Sequence, residues 1–454
     1  MKSVPVIAIF DIGKTNKKII LFDEKYSMVR EDVVQFAEIK DEDDQPCENI
    51  TAITDWVRKT LSDLLQDQAI TLKAINVSAY GASFVNIGKN SELVTPLYNY
   101  LRPYPEKLKN RFYETYGGEL KFSMETASPV LGNLNSGMQL YWLKHERAKI
   151  FKTVSCSLHL PQYISHIITG KRHTDITSIG CHTNLWNFYS ESYHAWVYRE
   201  GIDSKMAPML RSDDVVRTEA LSIPVGGGLH DSSAALIPYL MTFQEPFVLV
   251  STGTWCITLN PFNHMPLTEE ELKKDCLCYL SFQGTPVKAS RLFSGHEHEG
   301  QTRKIAAHFN LTTDFFKSID FTRDKLSQLK SPATVAKQTG ERIGLGSSVF
   351  ENRDLKEFST GEEAYYQLMY DIIAIQKASI ELVLRNSPVD KIFVDGGFSK
   401  NSLFMNMLAR AFPEKEIYGA AIAQSTSLGA ALAIHKHWNT AAIPENLITL
   451  RRYL

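Results

Sequence analysis

Four short stretches of the chain set glycine beside residues that can hold an anion or move a proton. The first is "DIGKTNKK", residues 11–18. A tight turn at Gly13 lets backbone N–H groups approach an anion, because no side chain stands in the way. Lys14, Thr15, Asn16 and Lys17 add donors and positive charge. Asp11 ends the preceding apolar run. It could hold Mg2+, directly or through water, since that ion takes oxygen ligands and keeps several waters. The run Gly13-Lys14-Thr15 is not a P-loop, which needs a glycine five residues before the Gly-Lys pair; Ala8 stands there. A plain hairpin with a solvated turn is the alternative.

The second stretch, "STGTW" (251–255), offers Ser251, Gly253 and Thr254 but no cation. Alone it reads as a turn. Facing the first across a cleft, it could grip a polyphosphate from the other side. The third is "VGGGLHDSSAALIPYL" (225–240). Three glycines precede His230 and Asp231, and an apolar helical run follows. Asp231 therefore sits at or near a helix N-terminus, whose dipole favours a carboxylate. Such a group can accept a proton from an alcohol; N-capping is its bland use. The fourth, "VDGGFSKN" (394–401), puts Gly396 and Gly397 between a strand and a helix. Paired glycines allow close approach of a flat ring or ribose, and also suit helix–strand packing.

Other residues invite over-reading. His296 and His298 alternate with carboxylates in "SGHEHEG", but no third ligand is identifiable. Trp142 and Trp186 could stack on a sugar, although core packing explains them better. The six cysteines are scattered, and Cys276 and Cys278 lack a matching second pair, so structural zinc is not expected. Reduced thiols in a cytoplasmic enzyme are the simpler reading. The net charge of −2 supplies no global field for nucleic acid or an anionic membrane. Asp11 and the basic turn cut short the apolar N-terminus, which lacks a signal-peptide cleavage site. No apolar run approaches the length of a transmembrane helix.

These stretches need elements to position them. "VIAIF" and "KKIILF" read as strands joined by the first turn, and "FVLVSTGTWCITL" (247–259) repeats that design about 240 residues on. A strand is expected at "AINVSAY" (74–80). Helices are expected at 52–65, with Ile53, Trp56, Val57, Leu61, Leu64 and Leu65 on one face, at 135–151 and at 362–385. "KIFVDGGFSKNSLFMNMLARAF" (391–412) reads as strand, turn and helix. Residues 425–437 read as a helix capped by Ser425 or Thr426. The non-periodic stretches 95–135 and 260–300 look like insertions around a cleft. At 454 residues the pattern suits two α/β domains, with the boundary near 240–246.

Taken in order, the four stretches resemble the motifs of the FGGY family of carbohydrate kinases, over nearly the whole chain. "GGGLHDSSAAL" and "STGTW" are most similar to its rhamnulokinase-like, deoxyketose-kinase members. The resemblance implies two ribonuclease-H-like domains of the actin, Hsp70 and sugar-kinase superfamily flanking an ATP cleft. These would be an N-terminal domain over 1–243 and a C-terminal domain over 244–454. It implies ATP and Mg2+ as cofactors, with Asp11 at the metal and Asp231 as base toward a primary hydroxyl. Gly13, Lys14, Thr15, Asn16, Lys17, Ser251, Gly253 and Thr254 would meet the phosphates. Gln301, Gly396, Gly397 and Asn401 would serve the nucleotide. The segment "VSAYGASFVNIGKNSELVTPLYNYLRPYPE" (77–106) is similar to the family's sugar-contact region, which implicates Gly81, Ala82, Ser83, Tyr100, Arg102, His230 and Asp231.

Two departures bear on specificity. Relatives often carry Trp-Gly-Val-Asp where this chain has Tyr80-Gly81-Ala82-Ser83, and Tyr-Arg-Asp where it has Tyr100-Leu101-Arg102. A carboxylate that could read a sugar hydroxyl is thus replaced by Ser83. The expected partner is a small-molecule sugar, either L-rhamnulose or a related deoxyketose such as L-fuculose. Xylulose, ribulose or a polyol is the alternative within the family. A sugar-binding regulatory protein without catalysis is the alternative of another class. Neither nucleic acid nor a membrane is expected as partner, and the resemblance is compatible with a homodimer.

Overall fold

The computed structural model of the protein describes residues 3–219, 221–332, 347–422 and 424–454. The chain divides into two compact units. The first comprises Met1–Thr242, Cys278–Pro286 and Ala423–Leu447; the second comprises Phe243–Leu277, Val287–Ile422 and Ile448–Leu454.

The first unit is built on a mixed sheet in the order 215–216, 225–226, 70–79, 4–12, 17–23, 28–34. Val4–Ile12 is central because Val6 through Phe10 are buried on both faces, as parallel-sheet strands are. It pairs antiparallel with Lys17–Asp23, closing the expected hairpin, and parallel with Ile70–Ala79. Helix Ile50–Gln66 starts at Asn49, whose side chain accepts the Ala52 N–H, and it buries Ile53, Val57 and Leu64. Trp56 and Leu61 pack against the same core, but Leu65 falls off the stripe and is exposed. The expected helix over 135–151 is two helices, Ser136–Glu146 and Ala148–Thr153. They break at Arg147, which leaves helical backbone angles and binds Asp43.

The stretch 95–135 is a second core rather than a loop. Helices Glu106–Thr115 and Glu119–Thr126 gather around Phe112, whose ring meets Tyr113, Tyr116, Phe122, Tyr141 and Trp196. The first of these helices buries only Leu108, Phe112 and Tyr113, too few for a clear period. Trp142 and Trp186 pack in or on this core.

The last helix of the first unit, Ser425–Ala433, lies against helix Asp231–Thr242 with almost no gap. A Cβ at Gly429 would overlap the Ala234 carbonyl oxygen. Its N-cap is Gln424 in a left-handed conformation, with no side-chain cap, instead of Ser425 or Thr426. Both hydroxyl residues stand one and two positions inside the helix.

The second unit has a seven-stranded sheet. Phe247–Thr252 lies between antiparallel Cys256–Asn260 and parallel Lys391–Gly396; Glu416–Ala421 and Thr449–Tyr453 extend it. The long helix Gly361–Leu384, capped by Thr360, buries sixteen of its residues. The stretch 260–300 again holds regular structure: strands Cys276–Leu280 and Pro286–Leu292 and the start of helix Ser294–Phe309. None of the six cysteines forms a disulfide. Among the described residues, no helix is long and apolar enough to cross a membrane.

Candidate active site

Sheet register brings the acidic residues of the first unit to one end of it. Asp11 pairs with Ser78 on the parallel strand Ile70–Ala79, and on that strand's other side Leu229 pairs with Ser78 and His230 with Ala79. Asp11 and the His230-Asp231 pair therefore leave the sheet at the carboxyl ends of parallel strands, where open α/β sheets bind ligands. Asp231 is the first residue of its helix. Its Oδ1 accepts the Ser232 N–H at 2.6 Å rather than capping a turn further in, and its side chain keeps 38% exposure. His230 is buried, with Nε2 3.2 Å from Asp231 Oδ1 and 3.3 Å from the Cys181 sulfur. Burial lowers the His230 pKa, so this ring meets Asp231 as a neutral partner and not as an ion pair.

The glycines before Asp231 are spent on packing. The carbonyls of Gly226, Gly227 and Gly228 accept from Ser165, His173 and Gln162 in turn. A Cβ at Gly228, where φ is +85°, would meet the Pro161 carbonyl at 2.6 Å. Their role is to let the chain pass close beneath Asp231.

Asp11 sits in a charged cluster. Burial pushes its carboxyl up to about 6; Asp231 adds to the rise, while the Ser427 hydroxyl at 2.8 Å and the charge of Lys18 oppose it. Lys18 is directly opposite Asp11 in the hairpin and binds Glu31 and Gln424. Residues of this kind fit Mg2+. The ion accepts one or two carboxylates plus water and phosphate oxygens, and a cation here would relieve the repulsion between Asp11 and Asp231. Among the described residues no group of three or more ligating side chains forms a closed cage, as a half-hydrated ion requires none. Lys18, Glu31 and Ser427 were not singled out in the sequence. The first was legible: Gly13 N–H bonds the Asn16 carbonyl, and counting outward from that closure puts residue 11 opposite 18.

The basic turn differs from its expected role. The Lys17 ammonium is buried, 2.8 Å from Glu48 and 2.9 Å from the Lys14 carbonyl. Lys14 binds Glu38 and Glu48 at 3.0 and 3.1 Å. Asn16 accepts from Gln35 and Thr15 is exposed. The turn thus offers Thr15 to a ligand, while Lys14, Lys17 and the Gly13 N–H are already paired.

The sugar-contact candidates fall into two groups. Gly81, Ala82, Ser83 and His230 lie together, since a Cβ at Gly81 would press on the His230 ring at 2.8 Å. Ala82 has φ +60° and Ser83 is buried. Tyr100 reaches this group through Tyr80, ring centroids 6.0 Å apart. Arg102 does not join it with its charge. Its guanidinium binds Asp41 at 2.9 Å, binds Asp43, and lies 4.6 Å from the Trp142 ring centroid.

In the second unit a cavity of 580 Å³ is lined by Thr252, Gly253, Gly295, His298, Phe316, Lys317, Asp320, Gly397, Phe398, Lys400 and Asn401. Thr252 knits its walls: its hydroxyl donates to the Asp395 carbonyl and accepts the Phe398 N–H, and its carbonyl accepts the Gly397 N–H at 3.0 Å. Gly396, at φ +81°, has no room for a Cβ against the Thr252 carbonyl. Asn401 lines the cavity while capping helix Ser402–Ala411 and donating to the Tyr365 hydroxyl. Ser251 and Thr254 flank Thr252 and Gly253 in sequence, and Thr254 is exposed. Gln301 lies elsewhere. It lines a second 580 Å³ cavity with Trp255, Arg291, Phe293, His296 and Lys304. His298 bonds the Tyr365 hydroxyl at 3.0 Å and lines the first cavity, whereas His296 lines the second.

Comparison with known proteins matches two family models along the chain. The family model for the FGGY family of carbohydrate kinases, N-terminal domain, matches residues 6–238, and that for carbohydrate kinase FGGY, C-terminal domain, matches residues 244–442. L-fuculokinase of Salmonella typhi is 22% identical over 279 residues, 56% of this chain and 56% of its own. Rhamnulokinase of Oceanobacillus iheyensis is 20% identical over 208 residues, 43% of this chain and 42% of its own. The chain thus spans about half the length of the curated relatives it matches. Among solved structures, ligand-bound xylulose kinase from Lactobacillus acidophilus shares the fold with a TM-score of 0.79 at 18% identity, over 99% of this chain and 94% of that one.

Proposed function

Because the chain belongs to the FGGY family of carbohydrate kinases, we propose that it transfers the γ-phosphoryl group of ATP to a primary hydroxyl of a ketose. The favoured acceptor is a deoxyketose such as L-rhamnulose or L-fuculose, the substrate class of the relatives' names. The observation that carries the reading is Asp231. It is an accessible carboxylate at a helix start, one residue from a buried neutral histidine and at the same sheet end as Asp11.

Asp231 would accept a hydrogen bond from the acceptor hydroxyl. As the alcohol oxygen bonds to the γ-phosphorus, the bond to the bridging oxygen of ADP breaks and the alcohol proton passes to Asp231. The products are the sugar phosphate and ADP. His230 would orient Asp231 and touch the sugar. Asp11 would hold Mg2+, which when bound neutralises phosphate charge. Thr15, Ser251 and Thr254 would give hydroxyl donors to the phosphates, with Gly13 and Gly253 leaving room beside them, and the 580 Å³ cavity would take the adenosine. The cavity's mixed lining of Phe316, Phe398, Lys317 and Asp320 suits a base with a polar edge.

The test is coupled ADP release from Mg-ATP across L-rhamnulose, L-fuculose, D-xylulose, L-ribulose, D-gluconate and glycerol. A strong response to one deoxyketose supports the reading. ADP release independent of any sugar, or sugar binding without release, overturns it.

A further inference from the structure

Helix Ser136–Glu146 has no place in the chemistry above, yet its N-terminal end bonds the segments that carry Ala82, His159 and His182. Asn135 donates to the His182 carbonyl at 2.8 Å, next to Cys181 and so beside His230. Ser136 bonds Nε2 of the buried His159 at 2.9 Å. Gln139 is the centre of this arrangement. Its Nε2 donates one proton to the Ala82 carbonyl at 2.6 Å and the other to the Asn133 carbonyl at 2.7 Å. Asn133 in turn donates to the Arg102 carbonyl at 2.7 Å. Two side-chain amides, those of Gln139 and Asn133, thus tie segment 81–83 to segment 100–102, and Gln139, Asn133 and Ala82 are all buried.

We infer that Gln139 is a positioning residue for the acceptor sugar, acting through the carbonyl of Ala82. This rests on the proposed kinase reading. Ala82 has φ +60°, a conformation that an alanine leaves unless something holds it. The Gln139 amide is what holds its carbonyl. A Cβ at Gly81 would stand 2.8 Å from the His230 ring, so this backbone passes close against the ring. A shift of Ala82 carried to Gly81 would therefore alter the surface on which His230, the neighbour of Asp231, packs. A primary amide can donate twice from this point, whereas a carboxylate or thioether presents no proton to either carbonyl. The arrangement explains why a fully polar group is kept inside a helix whose neighbours Met138, Leu140 and Tyr141 are buried apolar residues.

The experiment compares wild type with Gln139→Met and with the double variant Gln139→Met/Ala82→Gly. Sugar affinity is read by calorimetry, and turnover by ADP release with sugar and ATP varied separately. We expect Gln139→Met to weaken sugar binding about tenfold, as loss of a buried hydrogen-bonded tie does. KM for ATP should stay within about twofold. Glycine adopts φ +60° without strain, so Ala82→Gly should recover much of the sugar affinity in the double variant. A purely structural role predicts a lower melting temperature with no sugar-selective loss and no rescue, and that result overturns the inference. If Gln139→Met does not fold, Gln139→Asn, which keeps the amide one methylene short, is read the same way. Wild type that binds none of the sugars overturns the kinase reading and this one with it. Wild type that binds sugar, beside a variant that binds it equally, overturns this one alone.

Discussion

The Lys17 ammonium lies 2.8 Å from the Glu48 carboxylate, and both side chains are at most 5% exposed. The lysine that by position belongs to a phosphate turn is therefore a strut between the hairpin and the chain just before helix Ile50–Gln66. Removing it leaves a buried carboxylate with only Lys14. Lys17→Met should cost about 3 kcal/mol of stability while KM for ATP stays nearly unchanged. Melting curves and ATP titrations check this; an intact melting temperature with weakened ATP affinity would put the ammonium on the phosphates instead.

Asp231→Asn should lower turnover by at least about 100-fold, the lower end of what a positioned base contributes. ATP binding, measured by calorimetry, should persist, because the 580 Å³ cavity is built from the other unit's residues. Turnover close to wild type in this variant would remove Asp231 from the chemistry.

Asp11 makes stability depend on pH. Its folded pKa, pushed up to about 6, exceeds the ordinary 3.8. Between those values the folded protein holds a proton that the unfolded chain has lost, so Asp11's contribution to stability declines as pH rises through the window. Asp11→Asn should melt with wild type near pH 4 and above it at pH 7, and MgCl2 should narrow the gap at pH 7. A pH-independent gap would mean that Asp11 is not strained by its surroundings.

Lys18 opposes the rise of Asp11. Lys18→Met should move the acidic limb of the pH–rate profile to higher pH and raise the Mg2+ concentration needed for half-maximal rate. An unmoved limb would show that Lys18 serves Glu31 and Gln424 alone.

Gly396→Ala places a Cβ against the Thr252 carbonyl at φ +81°. It should lower the melting temperature and weaken ATP binding about tenfold or more, while sugar binding in the first unit is kept. Equal loss of both ligands would indicate general unfolding.

Elements set by local pattern were legible in the sequence. The two hairpins, the strand before Gly396 and the helix after Asp231 all follow from alternation, glycine and an apolar run close together in the chain. What local pattern could not supply is the partner of each polar side chain. Glu48 lies far enough along the chain from Lys17 that nothing near the turn announces the pair. Arg102 looked available until Asp41, Asp43 and Trp142 were placed around it. Asn401, expected at the nucleotide, lines the 580 Å³ cavity of the second unit, and its amide is also a helix cap. Gln301 is separated from that cavity by helical phase: in helix Ser294–Phe309, Gly295 and His298 face one hollow, and His296, Gly300 and Gln301 the other. The aromatic core around Phe112 is not legible in the sequence because the helix that carries Phe112 buries only Leu108, Phe112 and Tyr113.

The seating of Gly429 on Ala234 bears on how the protein can be divided. The Ser427 hydroxyl on Asp11 and the Ala430 carbonyl that takes the Asn76 amide both come from that same helix, more than 350 positions later in the chain. A fragment ending at Thr242 would contain both acidic residues and lack the wall that shapes one of them. Synthesis from the amino terminus would therefore leave this unit open until residues 425–433 emerge, and a split-protein pair cut near 242 should recover its acid cluster only when the carboxy-terminal piece is supplied.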